Sequence, residues 1–159
     1  MSEENILTYF VPNEAATVSF GQALAHFAQK GDVFALFGTL GMGKSVLARA
    51  FVQELTQAEE VPSPTFTLVQ SYGASSFEIY HFDLYRLKSP EEIFEIGVEE
   101  ALYDGVCLIE WPERMGGYLP STAFRIEIKP QGEGREINIS CNSPQKYSRL
   151  SELKALINV

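Results

Sequence analysis

The chain has 159 residues, of which 45% are hydrophobic and 21% charged, a composition that favours one globular domain over residues 1–159. Its 12 basic and 21 acidic side chains give a net charge of -9, which argues against a protein that holds nucleic acid mainly through its phosphates and against a polybasic membrane anchor. No Lys or Arg precedes Lys30 and no apolar run approaches the ~20 residues of a membrane span, so we expect a soluble, cytoplasmic protein.

The first third of the chain alternates strand and helix patterns. Ile6–Val11 is typical of a strand, and Asn13 is placed to cap a helix that continues to about residue 29. The short apolar run Val33–Phe37 is typical of a strand buried on both faces of a parallel sheet. A helix is then predicted from near Gly43 to about residue 55.

The middle of the chain continues this alternation. Thr65–Ser71 and Phe77–Leu84 are rich in β-branched and aromatic residues and are predicted to be strands joined by a hairpin or a loose turn. Ser89–Glu92 has the pattern of a capping box, which predicts a helix to about residue 103. Val106–Ile109 is a second buried-strand run, and it ends at Glu110.

The end of the chain adds two strands and a helix. Ala123–Lys129 and Arg135–Ser140 alternate polar and apolar residues, which predicts an antiparallel pair, and a last helix is expected over Gln145–Asn158. The two cysteines form no CxxC pair, and Cys107 is expected to be a buried thiol. The whole pattern predicts an α/β three-layer sandwich with a mainly parallel sheet and antiparallel additions.

The strongest functional signal is an eight-residue motif of the form G-x-x-x-x-G-K-[ST]. It consists of Gly38, Thr39, Leu40, Gly41, Met42, Gly43, Lys44 and Ser45. A glycine-rich turn lets backbone N–H groups point at phosphates, while Lys44 adds a positive charge and Ser45 an oxygen for Mg²⁺. A plain turn between strand and helix is the alternative. Because a buried-strand run precedes the motif and a helix pattern follows it, we predict a phosphate-binding loop, as in other P-loop proteins.

Three further positions are candidates for the metal and the γ-phosphate. Glu110 ends an apolar strand, where a Walker B acid would lie, although an ordinary strand-end carboxylate fits equally well. Asp83 is the second candidate, with a plain ion pair to Arg86 as its alternative. Thr65 follows Ser63-Pro64 in a loop and could turn its hydroxyl toward Mg²⁺, although the tripeptide by itself is more typical of a simple turn.

The two histidines, His26 and His81, are too few for a metal cluster. The acidic side chains within 91–100 are most simply a solvated helix face, although they could meet a basic partner.

Four blocks in chain order resemble the bacterial TsaE family, also called YjeE, which are small P-loop ATPases of tRNA threonylcarbamoyladenosine synthesis. The blocks are Gly38–Ser45, Pro62–Phe66, Tyr80–Arg86 and Ile109–Glu113. The similarity extends over about residues 5–130 and implies an ATP-binding protein with low intrinsic hydrolysis. It also implies two partners, TsaD and TsaB, with which the protein would serve the transfer of a threonylcarbamoyl group to the adenosine next to the anticodon. TsaD carries the transfer chemistry in that family, so contact with tRNA would be indirect.

The resemblance also implies roles for single residues. Lys44, Asp83 and Glu110 match catalytic positions, and Ser45, Thr65, Asp83 and Glu110 match positions that serve Mg²⁺. The phosphate loop, Thr65 and Trp111 match nucleotide-binding positions. One departure is Thr39, which stands where the family usually has an Asp.

Two other functions stay open at this point. A P-loop kinase of a nucleoside or small metabolite would need a lid with several arginines, whereas the arginines beyond the phosphate-loop helix are scattered along the chain. A non-catalytic, nucleotide-dependent scaffold is compatible with Thr39. A signalling GTPase is disfavoured because the sequence has neither an N-K-x-D nor a D-x-x-G motif.

Overall fold

The computed structural model describes residues 6–39, 43–62, 64 and 67–157. Its strands are β1 Ile6–Val11, β2 Val33–Phe37, β3 Val69–Gly73, β4 Glu78–Asp83, β5 Gly105–Glu110, β6 Phe124–Gln131 and β7 Gly134–Cys141. Its α-helices are α1 Glu14–Phe27, α2 Lys44–Leu55, α3 Val98–Asp104, α4 Pro144–Tyr147 and α5 Leu150–Ile157, and two 3-10 helices cover Pro90–Ile96 and Pro112–Tyr118.

The strands form one sheet in the order β1-β7-β6-β2-β5-β4-β3. The four strands β6, β2, β5 and β4 in its centre are parallel to one another. Antiparallel strands extend both edges, β7 and β1 beside β6 and β3 beside β4. The predicted α/β class, with a parallel sheet and antiparallel additions, is therefore confirmed.

Helices cover both faces of the sheet, as expected for three layers. On one face the buried side chains of α1, α2 and α5 form a core with alternate residues of the strands, around Phe34, Phe51 and Phe124. On the other face α3 and the 3-10 helices bury a second core that includes Phe82, Ile109 and Met115. The central strands β2 and β5 contribute to both cores, which explains why their sequences are almost entirely apolar.

Three predicted elements differ from the structure in length or type. The Ser89 capping box forms, but it opens a 3-10 helix that ends at Ile96, because Gly97 at φ 82° breaks the path before α3 begins. The single helix predicted over 145–158 is instead the two helices α4 and α5.

The strand predicted from Thr65 begins only at Val69 in the structure. Leu68 lies in the left-handed region at φ 69° and donates its N–H to the carbonyl of Pro64 at 2.6 Å, which makes a turn before the strand. Ser63, Thr65 and Phe66 lie outside the described residues.

Other predictions agree with the structure. The Asn13 side chain accepts a hydrogen bond from the N–H of Ala16 and caps α1. Cys107 is a buried free thiol, and burial raises its pKa to about 12. Within the ranges described above, no helix combines the length and the apolar character that crossing a membrane would require.

Candidate nucleotide site

The parallel strands β2, β5 and β4 end at one edge of the sheet. The polar residues of the site are the last residues of these strands or come shortly after them in the chain. The loop after β2 leads directly into α2, which begins at Lys44. Its last residue, Gly43, has φ 102°, a left-handed conformation that side-chain-bearing residues rarely adopt. The predicted strand and the predicted helix therefore lie before and after the glycine motif, in the order that a phosphate-binding loop requires.

Lys44 is a buried cation, only 4% exposed. Its Nζ donates to the carbonyl oxygen of Gly38 at 2.6 Å and lies 4.0 Å from the ring centroid of Trp111. Burial lowers the pKa of Lys44, and the nearby charges of Glu110, Glu113 and Asp83 act in the opposite direction. Among the described residues Lys44 has no ion pair within 4.0 Å, so its charge is held by a carbonyl dipole and an aromatic face.

Glu110, the last residue of β5, is held through both of its carboxylate oxygens. Ser45 Oγ donates to Oε1 at 3.3 Å, and His81 Nε2 lies 2.6 Å from Oε2. The side chains of His81 and Glu110 are only 3% and 4% exposed. The carboxylate is thus fixed between a core residue and the first turn of α2.

Asp83 ends β4 and is the register partner of Glu110 in the neighbouring strand. It is 7% exposed, and its Oδ1 accepts a hydrogen bond from the N–H of Tyr85 at 3.1 Å. Two carboxylates therefore end adjacent parallel strands at the edge where ligands bind in open α/β sheets.

Trp111 follows Glu110 in an unusual backbone conformation, with φ 58° and ψ 49°. Such a left-handed conformation in a large residue costs about 1–3 kcal/mol and persists only where the surrounding structure requires it. Here it brings the indole against Lys44 on one side and against Tyr85 on the other, with ring centroids 4.9 Å apart. The strain is therefore located at the contact between Trp111 and the phosphate-loop lysine.

A cleft of about 370 Å³ lies beside this edge. Its floor includes Gly43, Lys44, Ser45 and Glu110. Its far walls are the junction between β1 and α1 and the turn between β6 and β7, contributed by Val11, Pro12, Asn13, Glu14, Thr17, Glu133, Gly134 and Arg135. The cleft is therefore polar at the phosphate loop and continues toward a mixed apolar and charged wall.

Most of the predicted site residues are at this edge of the sheet. The structure brings together Gly38, Gly43, Lys44, Ser45, Asp83, Glu110 and Trp111. Thr39 is exposed after Gly38, whereas Leu40, Gly41, Met42 and Thr65 lie outside the described residues. The plain-turn alternative does not account for Lys44, whose buried cation has no structural counter-ion in this part of the chain.

Sequence reasoning missed two parts of the site. His81 was given no role, because two histidines are too few for a metal cluster. In the structure it bonds Glu110, and its position two residues before Asp83 on one strand was the available signal. The part of the cleft wall formed by Glu133 and Arg135 had no local sequence signal, because a hairpin turn between two half-exposed strands is an ordinary feature.

The donors at this edge fit a magnesium ion bound together with phosphates. In the described ranges no group of three or more His, Cys, Asp and Glu side chains has the arrangement of a protein-only metal site. Mg²⁺ instead takes one or two carboxylates and completes its shell with water and substrate phosphates. A hydroxyl and a carboxylate meeting beside a phosphate loop, as Ser45 and Glu110 do, are the oxygen donors that such a site needs.

Comparison with known proteins agrees with this geometry. The family described as "Threonylcarbamoyl adenosine biosynthesis protein TsaE" matches residues 11–137, which include every described residue of the site. The chain belongs to the TsaE family. It is 38% identical over 136 residues to the tRNA threonylcarbamoyladenosine biosynthesis protein TsaE of Rickettsia bellii, covering 85% of this chain and 92% of that protein.

A second TsaE protein, from Haemophilus influenzae, is 37% identical over 139 residues, with 84% of this chain and 88% of that protein covered. Among solved structures, Bacillus subtilis YdiB superposes with a TM-score of 0.77 at 28% identity, covering 94% of this chain and 95% of that one. The TsaE family is involved in tRNA threonylcarbamoyladenosine biosynthesis, and the fold is that of a P-loop NTPase.

Proposed function

We propose that this protein binds ATP with Mg²⁺ and hydrolyses it to ADP and phosphate in support of tRNA threonylcarbamoylation. The observation that carries the proposal is the buried Lys44, which lacks a counter-ion within the described residues and lies at the floor of the cleft beside Ser45 and Glu110. A buried cation without a counter-ion is costly, and a bound polyphosphate would supply the missing charges.

The strand order supports one direction for ATP in the cleft. Glu110 and Asp83 belong to strands on one side of β2, whereas β6, with its following turn, lies on the other side. The triphosphate belongs at the phosphate loop, with its metal toward the two carboxylates. The nucleoside would then occupy the part of the cleft between Pro12 and the Glu133–Arg135 turn.

Each side chain has a separate task in this proposal. Lys44 places its charge against the phosphate oxygens. Negative charge develops on these oxygens while the γ-phosphoryl group is transferred to water. Ser45 and Glu110 would hold Mg²⁺, which when bound neutralises charge on the phosphate oxygens. Asp83, adjacent to Glu110, would orient the attacking water or assist at the metal. The Trp111 ring, whose centroid lies 4.0 Å from Lys44 Nζ, would help to hold the ammonium in place.

We place the biological role in a complex with TsaD-like and TsaB-like proteins, in the cytoplasm, where tRNA and ATP are both found. The net charge of -9 supports this arrangement, because a protein so acidic is poorly suited to hold tRNA by itself. The transfer chemistry would belong to the TsaD-like partner, and nucleotide state would control the association. A ligand can exert such control only if it binds the free and the assembled states with different affinity.

The test is gel filtration of the three proteins with a non-hydrolysable ATP analogue, with ADP and without nucleotide. We expect the complex to form most tightly with the analogue and to weaken with ADP. Thr65→Ala should narrow this difference if Thr65 serves the γ-phosphate or its metal. Thr67→Ala is the matched control, since Thr67 is an exposed threonine two residues away in the sequence. Equal complex formation under all three conditions would contradict the gating role.

A further inference from the structure

One buried titratable side chain at the site has no task in the proposed reaction. His81 on β4 is 2% exposed, and its Nε2 lies 2.6 Å from Glu110 Oε2. The described residues that line the cleft do not include His81. A nucleotide in the cleft would therefore not touch the imidazole, and any effect of His81 on the reaction has to pass through Glu110.

The register of the sheet explains this position. His81 and Asp83 are two residues apart, so their side chains leave β4 on the same face. Asp83 lies opposite Glu110 across the parallel pair of strands, whereas His81 lies two residues earlier in β4, opposite Leu108. The imidazole consequently reaches Glu110 from the core side, beneath the cleft.

Packing alone does not favour a histidine here. An ionised carboxylate only accepts hydrogen bonds, so Nε2 carries the proton that is shared with Glu110. Nδ1 is buried and has no hydrogen-bond partner among the described residues. An unpaired buried polar atom costs about 1–3 kcal/mol, a cost that an apolar side chain would avoid. The one hydrogen bond that the His81 side chain makes within the described residues is thus the feature that requires explanation.

We propose that His81 is a positioning residue that holds the Glu110 carboxylate with Oε1 toward Ser45 and the cleft. The terminal torsion of a glutamate is broad, so a carboxylate anchored through one oxygen is free to rotate. With Oε2 fixed by His81, rotation would break a buried charge-assisted hydrogen bond. This inference rests on the proposed function, because it gives Glu110 its task at the metal.

The test compares two amides of different reach with an apolar residue. His81→Gln can place an amide N–H near the position of Nε2, whereas His81→Asn is too short and His81→Leu has no donor. We expect kcat for ATP hydrolysis to fall about tenfold or more in the Asn and Leu variants, with the KM for ATP within about twofold of the wild type. His81→Gln should restore most of kcat. If His81→Leu does not fold, the Asn and Gln pair still decides the question.

A second His–Glu pair in the chain provides a matched control. His26 Nε2 lies 2.5 Å from Glu54 Oε2, but the His26 side chain is 55% exposed and far from the cleft residues. His26→Asn and His26→Gln should both leave kcat unchanged. Equal kcat values in His81→Asn, His81→Gln and the wild type would overturn the positioning role.

Binding measurements separate this inference from the proposed function. A non-hydrolysable ATP analogue is titrated by calorimetry at increasing Mg²⁺ concentrations. The titrations give the Mg²⁺ concentration at which half of the metal-dependent gain in affinity for the analogue is reached. We expect that concentration to rise about tenfold in His81→Asn and to stay near the wild-type value in His81→Gln. If the wild type binds Mg·ATP but does not hydrolyse it, the proposed function fails while this measurement still decides the role of His81. Unchanged metal dependence in both variants would overturn the inference.

Discussion

A buried charged residue lies near each end of strand β2, and the two residues differ in their charged partners. Asp32, directly before β2, is 1% exposed, and Lys44, beyond its other end, is 4% exposed. Asp32 is surrounded by donors, whereas Lys44 has no carboxylate partner within the described residues. In the proposed function, Asp32 is a structural charge and Lys44 is the charge that would meet the ligand.

Both carboxylate oxygens of Asp32 are paired. Arg149 donates to Oδ1 and Oδ2 at 2.8 and 2.9 Å, Lys146 Nζ to Oδ1 at 3.2 Å, and the N–H of Gln29 to Oδ2 at 2.8 Å. Arg149 also bonds the carbonyl of Phe27 at the end of α1. This cluster therefore joins the C-terminal helices to the amino end of β2 and to α1.

The Lys44 end is polar but incompletely paired. Glu110 is occupied by Ser45 and His81, so its charge reaches Lys44 only through space. A fully paired ion cluster stabilises the fold and offers little to a ligand. An incompletely paired one is less favourable in the free protein and gains from binding an anion.

The first prediction concerns the removal of Arg149 from the Asp32 end of β2. Arg149→Ala leaves the buried Asp32 with Lys146 as its one cation and with the N–H of Gln29 as its other donor among the described residues, and we expect the free energy of unfolding to fall by about 3 kcal/mol. The affinity for Mg·ATP, measured by calorimetry, should not change. Arg125→Ala is the control, because this exposed arginine only covers the Phe37 ring and should cost at most about 1 kcal/mol. Equal losses of stability in the two variants, measured by urea denaturation, would contradict the assignment of Asp32 as a structural centre.

The second prediction alters the other end. Asp83→Asn and Glu110→Gln each keep the shape of the side chain but remove its charge. ATP turnover at saturating nucleotide should fall at least about tenfold in each, a loss of about 1.4 kcal/mol in transition-state stabilisation. Glu113→Gln is the control, since Glu113 is an exposed carboxylate that affects Lys44 only through space. Wild-type rates in both site variants would remove Asp83 and Glu110 from the reaction.

Local sequence signals were sufficient to predict much of the fold and the elements at the Lys44 end of β2. The strand Val33–Phe37, the helix after the glycine motif and the apolar strand before Glu110 were each predicted from a few neighbouring residues, and all three are present in the structure. The Asn13 cap is a local signal of the same kind. The one helix predicted from the Ser89 capping box to about residue 103 is divided into a 3-10 helix and α3 in the structure, because Gly97 at φ 82° interrupts it.

The paired end and the support of Glu110 could not be predicted in this way. Asp32 and Arg149 are 117 residues apart, and no local pattern connects them. The bond between His81 and Glu110 depends on which strands are neighbours and in which register, and both follow from the complete sheet. Long-range partners of buried charges are therefore what the structure adds to the sequence.

The most direct test of the central claim, that the Lys44 end of β2 is a Mg·ATP site, is calorimetric titration of the wild type and Lys44→Ala with ATP and GTP in the presence of Mg²⁺. The wild type should bind one ATP and bind GTP much more weakly. Lys44→Ala should lose at least about tenfold in affinity for ATP, or about 1.4 kcal/mol, because the buried ammonium no longer meets the phosphates. Its melting temperature without nucleotide should not fall, since Lys44 has no structural counter-ion among the described residues. The account would be contradicted if the wild type gave no binding heat with ATP or bound GTP as tightly as ATP. It would also be contradicted if Lys44→Ala were unfolded in the absence of nucleotide.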